Sequence, residues 1–569
     1  MTKKRPPGFD LEGALADPGF TPRGSDAERL IDLLLAAGPL EKLAERALLR
    51  LGRASGEAAA ARVRRLAEQA EDAKLASEAR ARLVRFIGRS LSQASEEGAS
   101  STLSTPTTSA IDPLAAALEA CLGDADARVR RAAAVALGKA RPAGAEAVLT
   151  RALDAEQDAA SRRALIEALG KVGGEGALAA LDRAEGSAGA AREEARARLI
   201  VTRTVARAEP STVEIFRALP GPTLVALRGR RGLEELIAAG LDQRLRPRLV
   251  EDALFGSRVE VTLAGPLARV FESRTMLSFG LPLRPARLEG RPLAEVIAAS
   301  LTSPEAIALF THFTTGPLRY RLAWASGGKR RALVWQVAEE VSRRAPAARP
   351  LVNDPTESPW EACVYEGEDA VRIELRPNVA DPRFRYRSAD VSGASHPTIA
   401  AALAQVGGAR PDDVVWDPFV GSGTELCERA ALGPFTRMFG SDLSPAALGA
   451  AAQNLAAAGV PKEQVELLRG DALALARVVR PSLILTNPPL GRRVLRSAEL
   501  APMLDSFVEE AARALTAGGR MVWFSPFPDR SEAVAQRCGL TLTEARDVDM
   551  GGFDARMQAF RRGGRAGGR

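Results

Sequence analysis

The chain is poor in the residues that build metal and disulfide chemistry, with four cysteines and two histidines in 569 residues. Cys121, Cys363, Cys427 and Cys538 lie far apart with no Cys-x-x-Cys pair, so neither a zinc site nor a disulfide framework is expected. Aromatic residues make up only 5%. No uncharged apolar run approaches the ~18 residues that span a bilayer, and the basic amino terminus leads into no apolar signal segment. The expectation is a cytoplasmic protein with no membrane and no metal. Neither charge sign is scarce: 78 Lys and Arg stand against 71 Asp and Glu, a net +7. That excess is small but has the sign a nucleic-acid partner wants. At ~100 to 200 residues per domain, the length predicts three or four domains.

Residues 1–24 are rich in Pro, Gly and charge and read as a disordered tail. Residues 25–207 are Ala, Leu, Arg and Glu at helical spacing, an all-α segment. Within it Leu51-Gly-Arg-Ala, Ile87-Gly-Arg-Ser, Leu137-Gly-Lys-Ala and Leu169-Gly-Lys-Val recur at steps of 36, 50 and 32 residues. Removing a Ser/Thr-rich insertion near 92–109 brings the long step back to a period of ~32. Asp124 to Lys139 and Asp154 to Lys171 each place an acidic turn before paired arginines and an Ala/Leu-rich helix. Paired helices this short must stack to bury their apolar faces, which predicts an α-solenoid. The segment resembles the HEAT-like repeat family, whose arrays are scaffolds or binding surfaces, so a protein or RNA partner is implied; an ordinary helical bundle is the alternative.

From 208 to 390 β-branched and aromatic residues return. Strands are expected at Thr223–Leu227, Arg258–Leu263, Arg331–Trp335 and Ala370–Leu375, alternating with helical stretches at Gly232–Ile237 and Pro266–Phe271. This is an α+β pattern. Arg217, Arg228, Arg230, Arg231, Arg244, Arg246 and Arg248 crowd one stretch, and Arg383-Phe-Arg-Tyr-Arg387 interleaves cations with rings. An RNA-handling surface needs that combination, although a half-buried strand reads the same way.

Residues 391–560 carry the chemistry. In Val414-Val-Trp-Asp-Pro-Phe-Val-Gly-Ser-Gly-Thr424 an apolar strand runs into Asp417, a glycine turn and a helix. Gly421 and Gly423 would let backbone approach a ligand at a helix amino terminus. A second strand ends on Asp442, where a carboxylate can accept ribose hydroxyls, a third leads to Asp471, and a fourth runs into Asn487-Pro-Pro-Leu490. All stand at predicted strand carboxyl ends, the edge at which open α/β sheets bind ligands. Residues 561–569 form a basic Gly-rich tail.

At these motifs the chain resembles the RNA methylase family of THUMP-associated class I S-adenosylmethionine-dependent N2-guanine methyltransferases, with its Asp-Pro-Phe-x-Gly-Ser-Gly-Thr and Asn-Pro-Pro-x-Gly signatures. The resemblance implies three parts: the HEAT-like solenoid, an α+β region that is ferredoxin-like and THUMP-like, and a Rossmann-like α/β catalytic domain. It implies S-adenosylmethionine as cofactor. Asp417, Gly421 and Gly423 would cradle its methionine moiety together with Pro418, Phe419, Ser422 and Thr424. Asp442 with Leu443 would hold the ribose, and Asp471 with Ala472 the adenine. Asn487 would join this site and form the catalytic corner with Pro488, Pro489 and Leu490.

The Asn-Pro-Pro chemistry also stands without the family. An exocyclic base amine is a poor nucleophile, and the Asn487 oxygen with the Pro488 carbonyl can accept its hydrogens and aim its lone pair. No cysteine stands beside this strand to attack a pyrimidine ring. The family places an aromatic residue after Asn-Pro-Pro. Here Leu490 stands instead, and a lost base stack is worth about 1–3 kcal/mol. Phe524-Ser-Pro-Phe-Pro528 is a possible source of another ring, and Gly491-Arg-Arg493 with Arg496 of phosphate contacts. The implied reaction is methylation of guanosine N2 in tRNA or rRNA. Adenine N6 methylation of DNA or RNA, protein glutamine methylation, and a scaffold with a vestigial domain remain open.

Overall fold

The computed structural model describes residues 9–563 except 18, 37, 69–72, 101–111, 185–190, 220, 253–254 and 491–496. It divides into two compact units, one of Met1–Ser211, Thr315–Arg321 and Lys329–Ser358, the other of Thr212–Thr314, Leu322–Gly328 and Pro359–Arg569. The second boundary differs from the expected one at 207/208, since a piece of the α+β segment belongs with the helices. Arg207 pairs with buried Asp354 and Arg203 Nε donates to the Asn353 carbonyl at 2.7 Å. Arg331–Trp335, expected as a strand, opens the helix Arg331–Arg344. Trp335 turns its ring toward the guanidinium groups of Arg196 and Arg203.

The first unit is a stack of helices. Ala73–Ser100, Ala127–Ala140, Ala159–Val172 and Ala191–Arg207 pack in sequence as one layer, and Pro113–Cys121, Ala145–Ala155 and Glu175–Arg183 form a second. Asp126 and Asp158 cap their helices by accepting from Arg128 N and Ser161 N. Three repeated glycines sit where neighbouring helices nearly touch: an added Cβ would lie 2.5 Å from Ala136 Cβ at Gly88, 2.7 Å from Ala168 Cα at Gly138 and 3.0 Å from Ala197 Cα at Gly170. Gly52 is not equivalent, because it ends a helix at φ +64° with open space around it. An ion-pair ladder follows the same period, Arg80 to Asp124 at 3.0 Å and Arg130 to Glu156 at 2.8 Å. Within the tail read over 1–24, Asp10 caps the helix Leu11–Leu15, which buries both leucines, so this part is ordered, and residues 1–8 lie outside the described residues. The insertion read near 92–109 begins inside the helix Ala73–Ser100, and its remainder lies outside the described residues.

In the second unit an antiparallel sheet runs Arg248–Val250, Arg258–Leu263, Thr223–Arg228, Ser278–Pro282, Ala370–Pro377, Trp360–Glu366. Of the arginines concentrated here, Arg228 pairs with Glu374, Arg231 with Asp554 and Arg248 with Glu260, while Arg230 donates to the Asp549 carbonyl. Arg383–Arg387 is not a strand. Arg383 and Tyr386 are buried, the first paired with Asp381 and the second donating to Glu428, so only Arg385 is fully exposed. No single helix among the described residues is long and apolar enough to cross a membrane.

The remainder of this unit is an α/β sheet whose strands are β1 Val414–Asp417, β2 Arg437–Asp442, β3 Val465–Arg469, β4 Leu483–Thr486, β5 Arg520–Ser525, β6 Leu540–Asp549 and β7 Asp554–Arg562. The order is β3-β2-β1-β4-β5-β7-β6, with β7 antiparallel to both neighbours and the other pairs parallel. Helices α1 Pro397–Gly407, α2 Thr424–Ala431, α3 Pro445–Ala457, α4 Ala472–Leu475, α5 Ser497–Ala514 and α6 Pro528–Arg537 accompany it. Buried Asp413, just before β1, holds Arg429 and Arg520 at 2.8 Å each, and these guanidinium groups keep its carboxyl far below the usual range. Chain direction around the sheet reverses between β1 and β4. The carboxyl ends of these two strands are therefore where a sheet of this order binds ligands.

Candidate active site

The strand order turns sequence-distant polar residues into a line. Asp471 follows β3, Asp442 ends β2, Asp417 ends β1 and Asn487 follows β4. Strands lie about 4.8 Å apart, so four neighbouring ends span about 14 Å, the reach of an elongated ligand rather than a single ion. Gly421 lies at φ +49° with nothing closer than 3.9 Å to an added Cβ, which leaves the loop between β1 and α2 open. Gly423, at φ +77°, instead allows α2 to approach Ala451 of α3.

Asp442 shapes that loop, its carboxylate accepting Gly421 N at 3.1 Å and Ser444 N at 2.8 Å. Leu443 beside it is 69% exposed, an apolar surface just past the carboxyl end of β2. Asp471 is exposed and caps α4 by accepting from Leu473 N, while Ala472 is buried. Ser422 and Thr424 are buried with their hydroxyls 3.0 Å apart, and Pro418 offers its carbonyl to Ser441 Oγ. Phe419 turns its ring against Phe507, 5.2 Å between centroids, so its part in the loop is as a wedge.

Asp417 is fully buried. Its Oδ1 accepts Thr486 Oγ1 at 2.7 Å and Phe419 N at 3.1 Å, and Oδ2 has no partner among the described residues. Burial, then the nearby charge of Glu425, pushes this carboxyl well above its ordinary range. Burial likewise pushes Glu425, in the first turn of α2, up to about 7. Ser395 Oγ donates to Glu425 and accepts Asn487 Nδ2 at 3.0 Å. With its nitrogen held this way, Asn487 is left with a buried, unpartnered Oδ1. Two enclosed acceptor atoms without donors, at adjacent strand ends beside an open glycine turn, fit a ligand that brings hydrogen-bond donors and positive charge.

Several of these groups carried no sequence signal. Ser395 and Glu425 are separated by 30 positions. Asn454 of α3 binds Ser388 N and Ala389 N through its oxygen, both at 2.9 Å, and the Ala389 and Ser422 carbonyls through its nitrogen, which ties the segment before α1 to the glycine loop. His396 caps α1 by accepting from Thr398 N. Cys427 is buried in the core beneath α2, where burial pushes its thiol far up. Pro488 is buried and Pro489 half-buried, and Leu490 packs against the core. Phe524 is fully buried and cannot stack on a base; Phe527 is half-buried against the α5 side of the sheet. Gly491-Arg-Arg493 and Arg496 lie outside the described residues.

Residues 385–555 match the family described as RMKL-like, methyltransferase domain, and residues 111–200 match HEAT repeats. Over 178 residues the chain is 35% identical to the tRNA (guanine(6)-N2)-methyltransferase of Thermus thermophilus, covering 30% of this chain and 51% of that protein. It is 33% identical over 126 residues to the U6 snRNA (guanine-N(2))-methyltransferase THUMPD2 of Mus musculus, covering 22% of this chain and 23% of the relative. The crystal structure of TrmN from Thermus thermophilus aligns with 60% of this chain and 99% of that one at 26% identity and a TM-score of 0.47. The chain thus spans about half the length of the first of these relatives and a quarter of the second. By the family match, residues 385–555 are an RMKL-like methyltransferase domain, and residues 111–200 belong to the HEAT repeats.

Proposed function

We propose that this protein transfers a methyl group from S-adenosylmethionine to the N2 amine of a guanosine in tRNA or rRNA. The observation that carries this reading is the Asn487 amide, anchored through nitrogen on Ser395 with its oxygen enclosed and free, one strand away from the buried carboxyl of Asp417. The curated relatives act on guanine N2, and this supports the choice of base. The cofactor, when bound, supplies an electrophilic methyl group.

Asp417 and the Gly421–Gly423 turn would hold the cofactor's charged end, Asp442 the ribose and Asp471 the adenine, in the order of their strands. Asn487 Oδ1 and the Pro488 carbonyl would accept the two hydrogens of the target amine, restraining its lone pair from the ring and aiming it. Transfer needs no base beforehand, and the amine sheds a proton afterwards. The reading of the α+β region as ferredoxin-like and THUMP-like, supported by its antiparallel order, and a cytoplasmic site of action belong to the same proposal.

Calorimetry with S-adenosylmethionine should show binding that Asp442→Ala abolishes, whereas Asn487→Ala should bind normally and transfer nothing. Nucleoside mass spectrometry of RNA from cells lacking the protein should show one N2-methylguanosine missing. Loss of N6-methyladenosine instead, or a silent cofactor titration, overturns the proposal.

A further inference from the structure

The helical unit segregates its charge by layer. In the second layer cations are paired across repeats, Arg151 with Glu119 at 3.0 Å and Arg183 with Asp154 at 3.4 Å. The solvent side of the first layer is different. Exposed there are Arg85 and Arg89 on Ala73–Ser100, Arg131 and Lys139 on Ala127–Ala140, and Arg163 and Glu167 on Ala159–Val172, with Lys171 half-buried. Arg131 and Arg163, and Lys139 and Lys171, are each 32 residues apart, so the cations recur at fixed repeat positions. Glu45 pairs with Arg89 and Glu41 faces Arg85. Among the described residues no carboxylate pairs with Arg131, Lys139, Arg163 or Lys171. Burial first, then the like charges of Arg82, Arg89 and Arg131, holds the Arg85 guanidinium below its usual range.

Like charges left in a row repel one another in the free protein, and a polyanion relieves that repulsion. Helices in one layer stand about 8–10 Å apart, so successive cations can meet successive parts of one strand. We propose that this row, Arg131, Lys139, Arg163 and Lys171 with Arg85 and Arg89, is a binding surface for the phosphodiester backbone of RNA. A row without aromatic side chains grips phosphates and reads no base, so binding there is independent of sequence.

The test uses the full chain and a short oligouridine, followed by fluorescence anisotropy across salt concentrations. Replacing Arg131, Lys139, Arg163 and Lys171 together by Gln should reduce the slope of log affinity against log salt by about three, since each contacted phosphate of a single strand contributes ~0.7. Affinity near physiological salt should fall at least tenfold. Arg151→Gln with Arg183→Gln, in the second layer, should leave the slope unchanged. An unchanged slope in the fourfold variant, or equal losses in both variants, overturns the proposal, as does unchanged RNA binding with lost binding of polyglutamate. Should the fourfold variant melt early, Lys139→Gln with Lys171→Gln should still lower the slope by about 1.4. The readout involves no methyl transfer, so it stands or falls apart from the function proposed above.

Discussion

A buried carboxyl at the candidate site, that of Glu425, should make binding of S-adenosylmethionine a proton-releasing event. Burial pushes Glu425 up to about 7, so it is half protonated near neutrality, and burial raises the Asp417 carboxyl as well. S-adenosylmethionine carries a sulfonium and an ammonium group, and an opposite charge within ~4–6 Å lowers a carboxyl pKa by about 1–3 units. A one-unit fall takes Glu425 at pH 7 from half protonated to about one tenth, releasing ~0.4 proton. Calorimetry at pH 7 in phosphate and in Tris, whose ionisation heats differ, measures this number directly. S-adenosylhomocysteine lacks the sulfonium charge and should release fewer protons, and Glu425→Gln should remove its own ~0.4. Binding heats independent of buffer between pH 6 and 8 would refute the reasoning. Stability carries the same signature. The folded pKa of Glu425 lies above its unfolded value of 4.5, so the native state binds more protons across that window. Stability therefore falls as pH rises from 4.5 to about 7, by up to about 3 kcal/mol from this group, and Glu425→Gln should flatten that slope.

Ser395→Ala removes both the donor to Glu425 and the acceptor of Asn487 Nδ2, freeing the amide to turn; kcat should fall about 10- to 100-fold with cofactor affinity unchanged, and Ser395→Thr should recover part of it. Asp413→Ala leaves Arg429 buried without its partner and should cost about 3–5 kcal/mol, read as a lower urea midpoint. Gly138→Ala forces a methyl to within 2.7 Å of Ala168 Cα, and overpacking of about 1–3 kcal/mol should outweigh the helix-propensity gain. Gly449→Ala, helical with open space around it, should stabilise by up to about 1 kcal/mol, measured by the same titration.

The catalytic sheet was legible because its signals are local. A strand ending on Asp417, Asp442 or the residue before Asn487 can be read from a few consecutive residues, and the rule that ligands bind at strand carboxyl ends aligns them. Ser395, Glu425 and Asn454 could not be read the same way. Their meaning lies in hydrogen bonds closed by tertiary packing between the segment before α1, the first turn of α2 and the middle of α3. Arg331–Trp335 was misread for a related reason: Ala-Leu-Val-Trp is apolar enough for a buried strand, and only the longer run to Arg344 reveals the helical period.

Arginine shows where one kind of sequence evidence ends and another begins. The cluster from Arg217 to Arg248 is dense in sequence, yet Arg248 is bound to a glutamate on the neighbouring strand and Arg228 to one two strands away, because sheet formation delivers partners that linear order conceals. Charge density alone therefore says little about a free surface in a sheet. In a helical repeat the same residues are more informative, since position within a ~32-residue period decides which layer and which face a side chain occupies. Arg130 and Arg131 are adjacent, but one turns back to Glu156 while the other faces solvent, and Arg162 and Arg163 repeat the division: Arg162 donates to the Leu153 carbonyl and Arg163 is exposed. The paired arginines of these two repeats thus combine an anchor with an outward charge. Stacking accounts for the first of each pair, and the second is the outward charge on which the proposed RNA surface is built.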